Sequence, residues 1–337
     1  MLISRDGAIL HLSDDKWSIL ANGIKIEMNF SEYRQYFSDD LFEKFKLVIA
    51  NSLQIQSACT SFNYFNHIGW FARYTFFEQK SKLSVILPHH IINYQSRLSS
   101  SRRWYIGILS SALRNWRRLG YWGVPATTCS FLDELSPGGN ATGEAVLTRD
   151  QTKGPLSDIE LESLVAGLQR SFENGQIDFQ SFVLIWLLIA TGRRSIQLAA
   201  LKIKDFSVQT APDGTTFYWL DVPRAKQKGL SIRESFKRVK LSPQVGELLQ
   251  VLCVRLDLQA RDQNEPIFRG ATYVGGGPGL EHHMTTGEMY RCVKAAMRKL
   301  SVISIRTGEL LHLSPRRLRY TLGTRAAAEG ANEFEIA

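Results

Sequence analysis

The spacing of apolar and polar positions changes twice along the chain. Residues 1–30 alternate loosely around Asp6-Gly7 and Asn22-Gly23, which favours short strands joined by tight turns. From residue 31 to residue 135 the apolar positions recur with a helical period and include many aromatic side chains. The pattern predicts a small β-rich N-terminal appendage over 1–30, followed by a helical domain over 31–135.

A polar segment, residues 136–155, has no apolar periodicity and is typical of a linker. Ser157 and Glu160 then form a capping box, which predicts the first helix of a second domain over 156–337. Farther on, FSVQT, TFYWLDVP and FKRVKLS alternate in polarity, with a Pro212-Asp213-Gly214 turn between the first two. These segments predict a three-stranded antiparallel sheet, so the expected fold class is mainly α with a small antiparallel β-sheet.

The charge balance points to a polyanionic partner. The 337 residues include 41 Lys and Arg against 32 Asp and Glu, a net charge of +9. Nucleic acid is the first candidate and an anionic membrane surface the second. The apolar run from Phe182 to Ala190 is nine residues long, and a spanning helix needs about 20. We therefore expect no transmembrane segment, no secretory signal and a cytoplasmic location.

The predicted helical domain contains one strongly basic segment without an acidic residue. Its helical spacing puts arginines on one face and Tyr105, Leu109, Ala112 and Trp116 on the other. A solvated helix face is one interpretation, and contact with DNA phosphates is the one we favour, because uncompensated like charges repel each other. The arginines of this segment are Arg97, Arg102, Arg103, Arg114, Arg117 and Arg118.

In the second domain, Arg194 directly follows the end of an apolar run. A guanidinium at the edge of a core usually meets an anion, and phosphate matches its planar donors. The segment ATGRRSIQLAALKIKDF, residues 190–206, resembles the first arginine box of the tyrosine recombinase (phage integrase) family. Gln197 stands where that family commonly has an acidic residue, and we expect it to support Arg194.

A second basic segment, LSPRRLRYTLGTRAAAEGAN, lies near residue 337. Ser314 and Pro315 predict a helix start, and the first turn projects Arg316 and Arg319 on one face, where the helix dipole favours an anion. The segment resembles the second box of the same family, in which a histidine and an arginine are separated by two residues. Arg319 matches the arginine, whereas Arg316 stands at the histidine position and stays protonated at physiological pH.

Between the boxes, a basic loop lies at the predicted hairpin tip. It contains Arg224, Lys226, Lys228 and Arg233, which either reach a phosphate or remain solvated. The family places a mobile catalytic lysine on this hairpin. Lys226 matches it by position, Lys228 is the second choice, and we also expect Lys228 to contact DNA.

The resemblance implies a helical core-binding domain, forming half of a clamp around duplex DNA, and an α+β catalytic domain of tyrosine-recombinase type. It implies metal-free phosphoryl transfer without a cofactor: Arg194, Arg316 and Arg319 hold the phosphate, and Lys226 protonates the departing 5′ oxygen. The family's nucleophile is a tyrosine that forms a 3′-phosphotyrosyl link, and the partners are double-stranded DNA and further copies of the protein.

No residue of this chain matches the position of that nucleophile, so we expect an incomplete catalytic domain. Tyr290 and Tyr320 are interpreted as packing residues, and an apolar surface is expected around Leu318 and Leu322. The function is therefore expected to be site-specific DNA recombination or integration on a mobile genetic element, with a cleavage-inactive DNA-binding remnant as the alternative. A type IB topoisomerase is a third, weaker interpretation.

Histidine and cysteine positions do not indicate a metal site. The pairs His89-His90 and His282-His283 are adjacent in sequence and do not share a face of a helix or strand. The cysteines lie far apart and form no CxxC pair. We expect capping or other polar roles for the paired histidines. His312 could approach the phosphate, but it precedes the Ser314 cap and does not match the histidine position of the second box.

Overall fold

The computed structural model describes residues 1–21, 24–136, 143–225, 227, 230, 232–257, 262–271 and 279–332. The chain divides into two compact units. Unit 1 comprises Met1–Ala21 and Lys25–Thr142, and unit 2 comprises Asn22–Ile24 and Gly143–Ala337. The break at residue 142 falls within the segment that the sequence predicts to be a linker. In the described part of the chain, no helix is long and apolar enough to cross a membrane.

Unit 1 is mainly helical and begins with four short strands. The strands are β1 (Leu2–Ile3), β2 (Ile9–Leu10), β3 (Lys16–Ala21) and β4 (Ile24–Asn29), of which β4 belongs to unit 1 from Lys25 onwards. The helices are α1 (Ser31–Arg34), α2 (Asp39–Ile55), α3 (Ala58–Gln79), α4 (Pro88–Arg97), α5 (Tyr105–Arg118) and α6 (Ala126–Glu134). Strands β1 and β2 pair antiparallel, and β3 pairs with β4.

The strands of unit 1 share the core of its helices. The Phe30 ring, directly after β4, lies 4.6 Å from that of Trp17 in β3, measured between centroids. The same ring lies 5.4 Å from Phe45 in α2 and 5.0 Å from Phe65 in α3. Edge-to-face contacts of this kind add to the burial of apolar area. Trp17 and Phe30 therefore pack in the same core as helices α2 and α3.

Unit 2 combines helices with one sheet. Its helices are α7 (Glu144–Leu147), α8 (Asp158–Glu173), α9 (Phe179–Thr191), α10 (Ser195–Ala199), α11 (Pro243–Asp257), α12 (Thr286–Leu300) and α13 (Pro315–Ala328). Its strands are β5 (Phe206–Thr210), β6 (Thr216–Pro223) and β7 (Phe236–Leu241). The sheet order is β5-β6-β7 and both pairings are antiparallel. The predicted fold class, mainly α with a small antiparallel sheet, is confirmed.

Local sequence signals set the boundaries of several elements in unit 2. Ser157 accepts a hydrogen bond from the Glu160 backbone, and the Glu160 carboxylate accepts one from the Ser157 backbone. The turn between β5 and β6 places Gly214 at φ +85°, a conformation that favours glycine. Helix α9 is apolar on nearly every side, and its Val183, Leu184 and Leu187 are fully buried, as expected for a central helix.

Candidate functional site

The first arginine box lies at the junction between α9 and α10. Helix α9 ends in a left-handed Gly192, with φ +57°, and Arg194 then adopts an extended conformation at the start of α10. A Cβ on residue 192 would lie 2.9 Å from the Leu322 side chain and 3.5 Å from the Arg319 Cα. Glycine therefore satisfies the backbone conformation and also lets α13 approach. This contact brings the two boxes of the sequence together.

Gln197 joins the first box to the sheet. It is buried, its Oε1 accepts a hydrogen bond from the Arg194 backbone at 3.1 Å, and its Nε2 donates to the Pro223 carbonyl at 2.8 Å. An ionised acidic residue at this position could accept from Arg194 but could not donate to Pro223. The amide therefore makes a contact to the end of β6 that a carboxylate cannot make.

Replacing Gln197 by Glu is expected to lower the free energy of unfolding of unit 2. The substitution removes the donor to the buried Pro223 carbonyl and places an anion against its oxygen, at a cost of about 1–3 kcal/mol. Thermal unfolding followed by circular dichroism would measure the change. Gln209→Glu, at an exposed position of β5, is the matched control. Equal transitions for the two variants would contradict the contact.

The second box is the first turn of α13. The Ser314 hydroxyl accepts a hydrogen bond from the Arg317 backbone, and Pro315 occupies the first position of the helix. Arg316 is exposed, Arg319 is half-buried, and Arg317 between them is buried. One turn thus presents two arginines outward and holds a third inside the unit.

Five cationic side chains from four segments are grouped where the boxes meet. Burial, and then the charges of Arg319 and Arg194, lower the pKa of the Arg193 guanidinium. Arg224 adds to the same shift, and partial burial followed by Arg319 lowers the pKa of Arg194. Partial burial, followed by Arg193 and Arg224, lowers the pKa of the Lys237 ammonium. Arg193, Arg194 and Lys237 are therefore less well hydrated than exposed cations and are repelled by their neighbours, and a bound anion would offset both effects.

Four of these cations have no carboxylate partner in the described part of the chain. Arg194, Arg224, Lys237 and Arg319 have no ion pair with a described carboxylate. Other arginines of unit 2 do have one, as Arg238 does with Asp221. The cluster therefore has the charge of an anion site, with guanidinium groups that match a phosphate.

The basic loop contributes less to the site than its composition indicates. Lys226 and Lys228 lie outside the described residues. Arg233 forms two hydrogen bonds to the buried Asp205, at 2.6 and 3.0 Å, and donates to the Ala200 carbonyl. Its charge is compensated by Asp205 and its side chain is largely buried, so of the two alternatives for Arg233 the solvated one is wrong. Arg224 is exposed, and its backbone donates to Ser235 across the hairpin.

Arg317 is a structural residue that the sequence pattern did not single out. Its side chain is 1% exposed and donates to the carbonyls of Gly154, His312 and Gln151 at 2.6–2.9 Å. It also lies 3.4 Å from the Glu160 carboxylate. Segment 151–157 is thereby fixed to the helix that carries Arg319. The local sequence does not indicate which of Arg316, Arg317 and Arg319 is buried.

Glu160 is the acceptor at the centre of this network. Its carboxylate accepts from Arg306, Ser304 and the Ser157 backbone. Burial raises its pKa, but these hydrogen bonds and the Arg306 charge outweigh burial, so the net pKa lies below its usual value. The group is therefore ionised at neutral pH, as a partner of Arg306 and Arg317.

In unit 1, the basic segment is only partly helical. Helix α5 begins at Tyr105, so Arg102 and Arg103 precede it, and the expectation that Arg103 belongs to the helix face is wrong. Arg114 pairs with Asp133 of α6 at 2.8 Å, which supplies the acid that the segment lacks. Ser110 of α5 is buried. The exposed cations of the segment are Arg97, Arg102, Arg103, Arg117 and Arg118.

Tyr290, Tyr320 and His312 differ in exposure, and no contact of theirs with a described residue indicates a catalytic role. Tyr290 is 44% exposed, so its interpretation as a packing residue is wrong. Tyr320 is half-buried in α13. His312 is exposed and uses its carbonyl to accept from Arg317. None of these observations assigns a nucleophile or a proton donor.

Two of the paired histidines have structural hydrogen bonds. His90 accepts from the Leu87 backbone at 3.2 Å, and His283 lies 2.7 Å from the Ala199 carbonyl. Burial lowers the pKa of each to about 4, so both are neutral near pH 7. Among the described residues, no group of His, Cys, Asp and Glu could hold a metal ion.

An apolar cavity of about 310 Å³ lies between α8, α9 and α13. Leu161, Ile189, Leu318 and Leu322 line it, with Arg325 at its polar side. Leu318 is only 1% exposed and Leu322 is half-buried. The expected apolar surface is therefore a lined cavity, and the expectation that Leu318 is exposed is wrong.

Comparison with known proteins gives matches among solved structures only. No family model and no curated protein matches the chain. XerA recombinase is 16% identical, with a TM-score of 0.38 and 87% of each chain covered. XerH site-specific recombinase bound to difH substrate is 17% identical, with a TM-score of 0.48, covering 91% of this chain and 85% of that one. The Tn1549 transposon integrase in complex with transposon right end DNA is 14% identical, with a TM-score of 0.45, covering 87% and 88%.

Proposed function

We propose that the protein binds double-stranded DNA and holds one phosphodiester between Arg194 and Arg319, as part of site-specific recombination or integration. The observation that carries the proposal is the group of cations at the meeting point of the two boxes, without a described carboxylate to neutralise Arg194 or Arg319. A phosphate there would relieve both the mutual repulsion and the loss of hydration.

The site suits a phosphoryl group whose charge increases during reaction. Arg194 and Arg319 would donate hydrogen bonds to the non-bridging oxygens and stabilise a pentavalent transition state. Arg316, exposed on the same turn, would add a third donor but cannot accept a proton. The proton for the departing 5′ oxygen would come from Lys226, with Lys228 as the alternative. This chemistry needs no cofactor, and the attacking group would be a tyrosine.

A second candidate function is DNA binding without strand cleavage. Arginine at position 316 favours it, because the resemblance places a histidine there, and a histidine can exchange a proton near neutral pH whereas an arginine cannot. Both functions use the same phosphate site, and self-association on DNA is compatible with both. They differ in whether a covalent protein–DNA link forms.

Two measurements test these functions. The first is fluorescence anisotropy of labelled duplexes of randomised sequence, titrated with the protein at several salt concentrations. We expect the logarithm of the binding constant to fall linearly with the logarithm of the salt concentration, because each phosphate contact releases counterions. Binding that does not respond to salt, or no binding, would contradict the DNA proposal.

The second measurement is covalent capture on nicked duplexes of randomised sequence. When a tyrosine attacks the phosphate beside a nick, the short strand leaves and the protein remains attached to DNA under denaturing conditions. Such a product would support recombination or integration. Salt-dependent binding without a covalent product would support the second function.

A further inference from the structure

Lys237 lies on the inner face of the sheet, at the end nearest the arginines. In the β6-β7 register, Lys237 is opposite Val222, Val239 is opposite Leu220, and Leu241 is opposite Tyr218. Val222, Leu220 and Tyr218 are all buried in the core of unit 2. Because side chains alternate along a strand, Lys237 shares this core-facing side with Val239 and Leu241. A lysine therefore occupies a position that the pattern of β7 reserves for apolar residues.

The same end of the sheet is tied to the first arginine box. The Pro223 carbonyl, one residue after Val222, accepts the hydrogen bond from Gln197, which in turn accepts from the Arg194 backbone. Across the hairpin, the Arg224 backbone donates to Ser235 at 2.7 Å. The end of the sheet that carries Lys237 therefore lies beside the α9–α10 junction. The lowered pKa of the Lys237 ammonium, caused by burial and then by Arg193 and Arg224, agrees with this placement.

The position of Lys237 is unfavourable for the protein alone. Its side chain is half-buried beside other cations, and no described carboxylate pairs with it. Lys240, on the same strand but the opposite face, is exposed and lies 4.3 Å from the Phe217 ring centroid. One lysine of β7 thus has a favourable contact on the outer surface, and the other is held in the cationic cluster.

We propose that Lys237 is a further phosphate-contacting residue, binding the same DNA phosphate group or its immediate neighbour beside Arg194 and Arg319. The inference rests on the proposed DNA-binding function and adds to it a residue outside both arginine boxes and outside the hairpin tip. Its ammonium group approaches from the sheet, whereas the guanidinium groups approach from the α9–α10 junction and from α13. The phosphate is thus held from two sides.

The test compares Lys237→Met with Lys240→Met in the full chain, using salt-dependent binding of a labelled duplex. Both substitutions remove one positive charge from the same strand. We expect Lys237→Met to weaken binding about tenfold and to reduce the salt slope by about 0.9, the value for one lost phosphate contact. Lys240→Met should leave both quantities close to those of the unaltered protein. Lys237→Arg retains the charge and should recover most of the affinity.

The outcomes separate this inference from the proposed function. If the unaltered protein binds DNA with a salt slope and the two methionine variants behave alike, the inference is wrong and the function stands. If the unaltered protein does not bind DNA, the function itself is wrong. Circular dichroism checks folding of each variant. Should Lys237→Met fail to fold, Lys237→Gln replaces it, and equal affinity of Lys237→Gln and Lys237→Arg would overturn the inference.

Discussion

Replacing Arg194 and Arg319 together by alanine is expected to weaken duplex DNA binding by about a hundredfold or more, because each charge-assisted hydrogen bond contributes roughly 1.5–3 kcal/mol. The two side chains converge on one place although they come from α10 and α13. The salt slope should fall as well, since fewer counterions are displaced. Anisotropy titrations over a range of salt concentrations would measure both quantities.

A matched control separates this effect from a simple loss of charge. Lys294→Ala with Arg298→Ala removes two exposed cations of α12 and should change affinity far less. The Arg194 and Arg319 variant should also unfold at an equal or higher temperature than the unaltered protein, because two mutually repelling charges are gone. Weakened binding together with a large loss of stability would indicate a structural role and would count against the phosphate site.

Replacing Glu160 by Gln is expected to lower the free energy of unfolding of unit 2 by about 3–5 kcal/mol at neutral pH, because it removes the charge partner of two buried or half-buried arginines. Arg317 is fully buried and Arg306 lies 2.5 Å from the Glu160 carboxylate. Urea unfolding followed by circular dichroism would measure the loss. Hydrogen exchange should place it at α8, α13 and segment 151–157, and Glu162→Gln, exposed on the same helix, is the control.

The effect of Glu160 should depend on pH in a definite direction. Its pKa in the folded state is below the unfolded value, so its contribution is complete above about pH 4.3, the ordinary pKa of Glu, and is lost as the pH falls through the folded pKa. The difference in stability between the unaltered protein and Glu160→Gln should therefore shrink in acid. A difference that grew as the pH fell would contradict the ionised state of Glu160.

The hydrogen bonds of Arg317 show which feature of α13 cannot be predicted from its local sequence. Arg316, Arg317 and Arg319 belong to one turn, and the sequence predicts that the first and third face an anion. Burial of Arg317 depends on carbonyls of Gly154 and Gln151, which come from far earlier in the chain. The local sequence does not distinguish an arginine that binds a ligand from one that donates hydrogen bonds to backbone carbonyls. Only the packing of segment 151–157 against α13 distinguishes them.

The sequence by itself determined the features that depend on neighbouring residues. The cap at Ser157 and the helix start at Ser314 rest on hydrogen bonds spanning three residues, and the sheet follows from alternating side chains in three short segments. Tertiary structure alone decided which cations are compensated, because their partners are distant in sequence: Asp205 holds Arg233, and Asp133 holds Arg114. It also brought Lys237 close to Arg193 and Arg224. The repulsion among these cations depends on their separation in space and not on their separation along the chain, so the sequence alone does not show it.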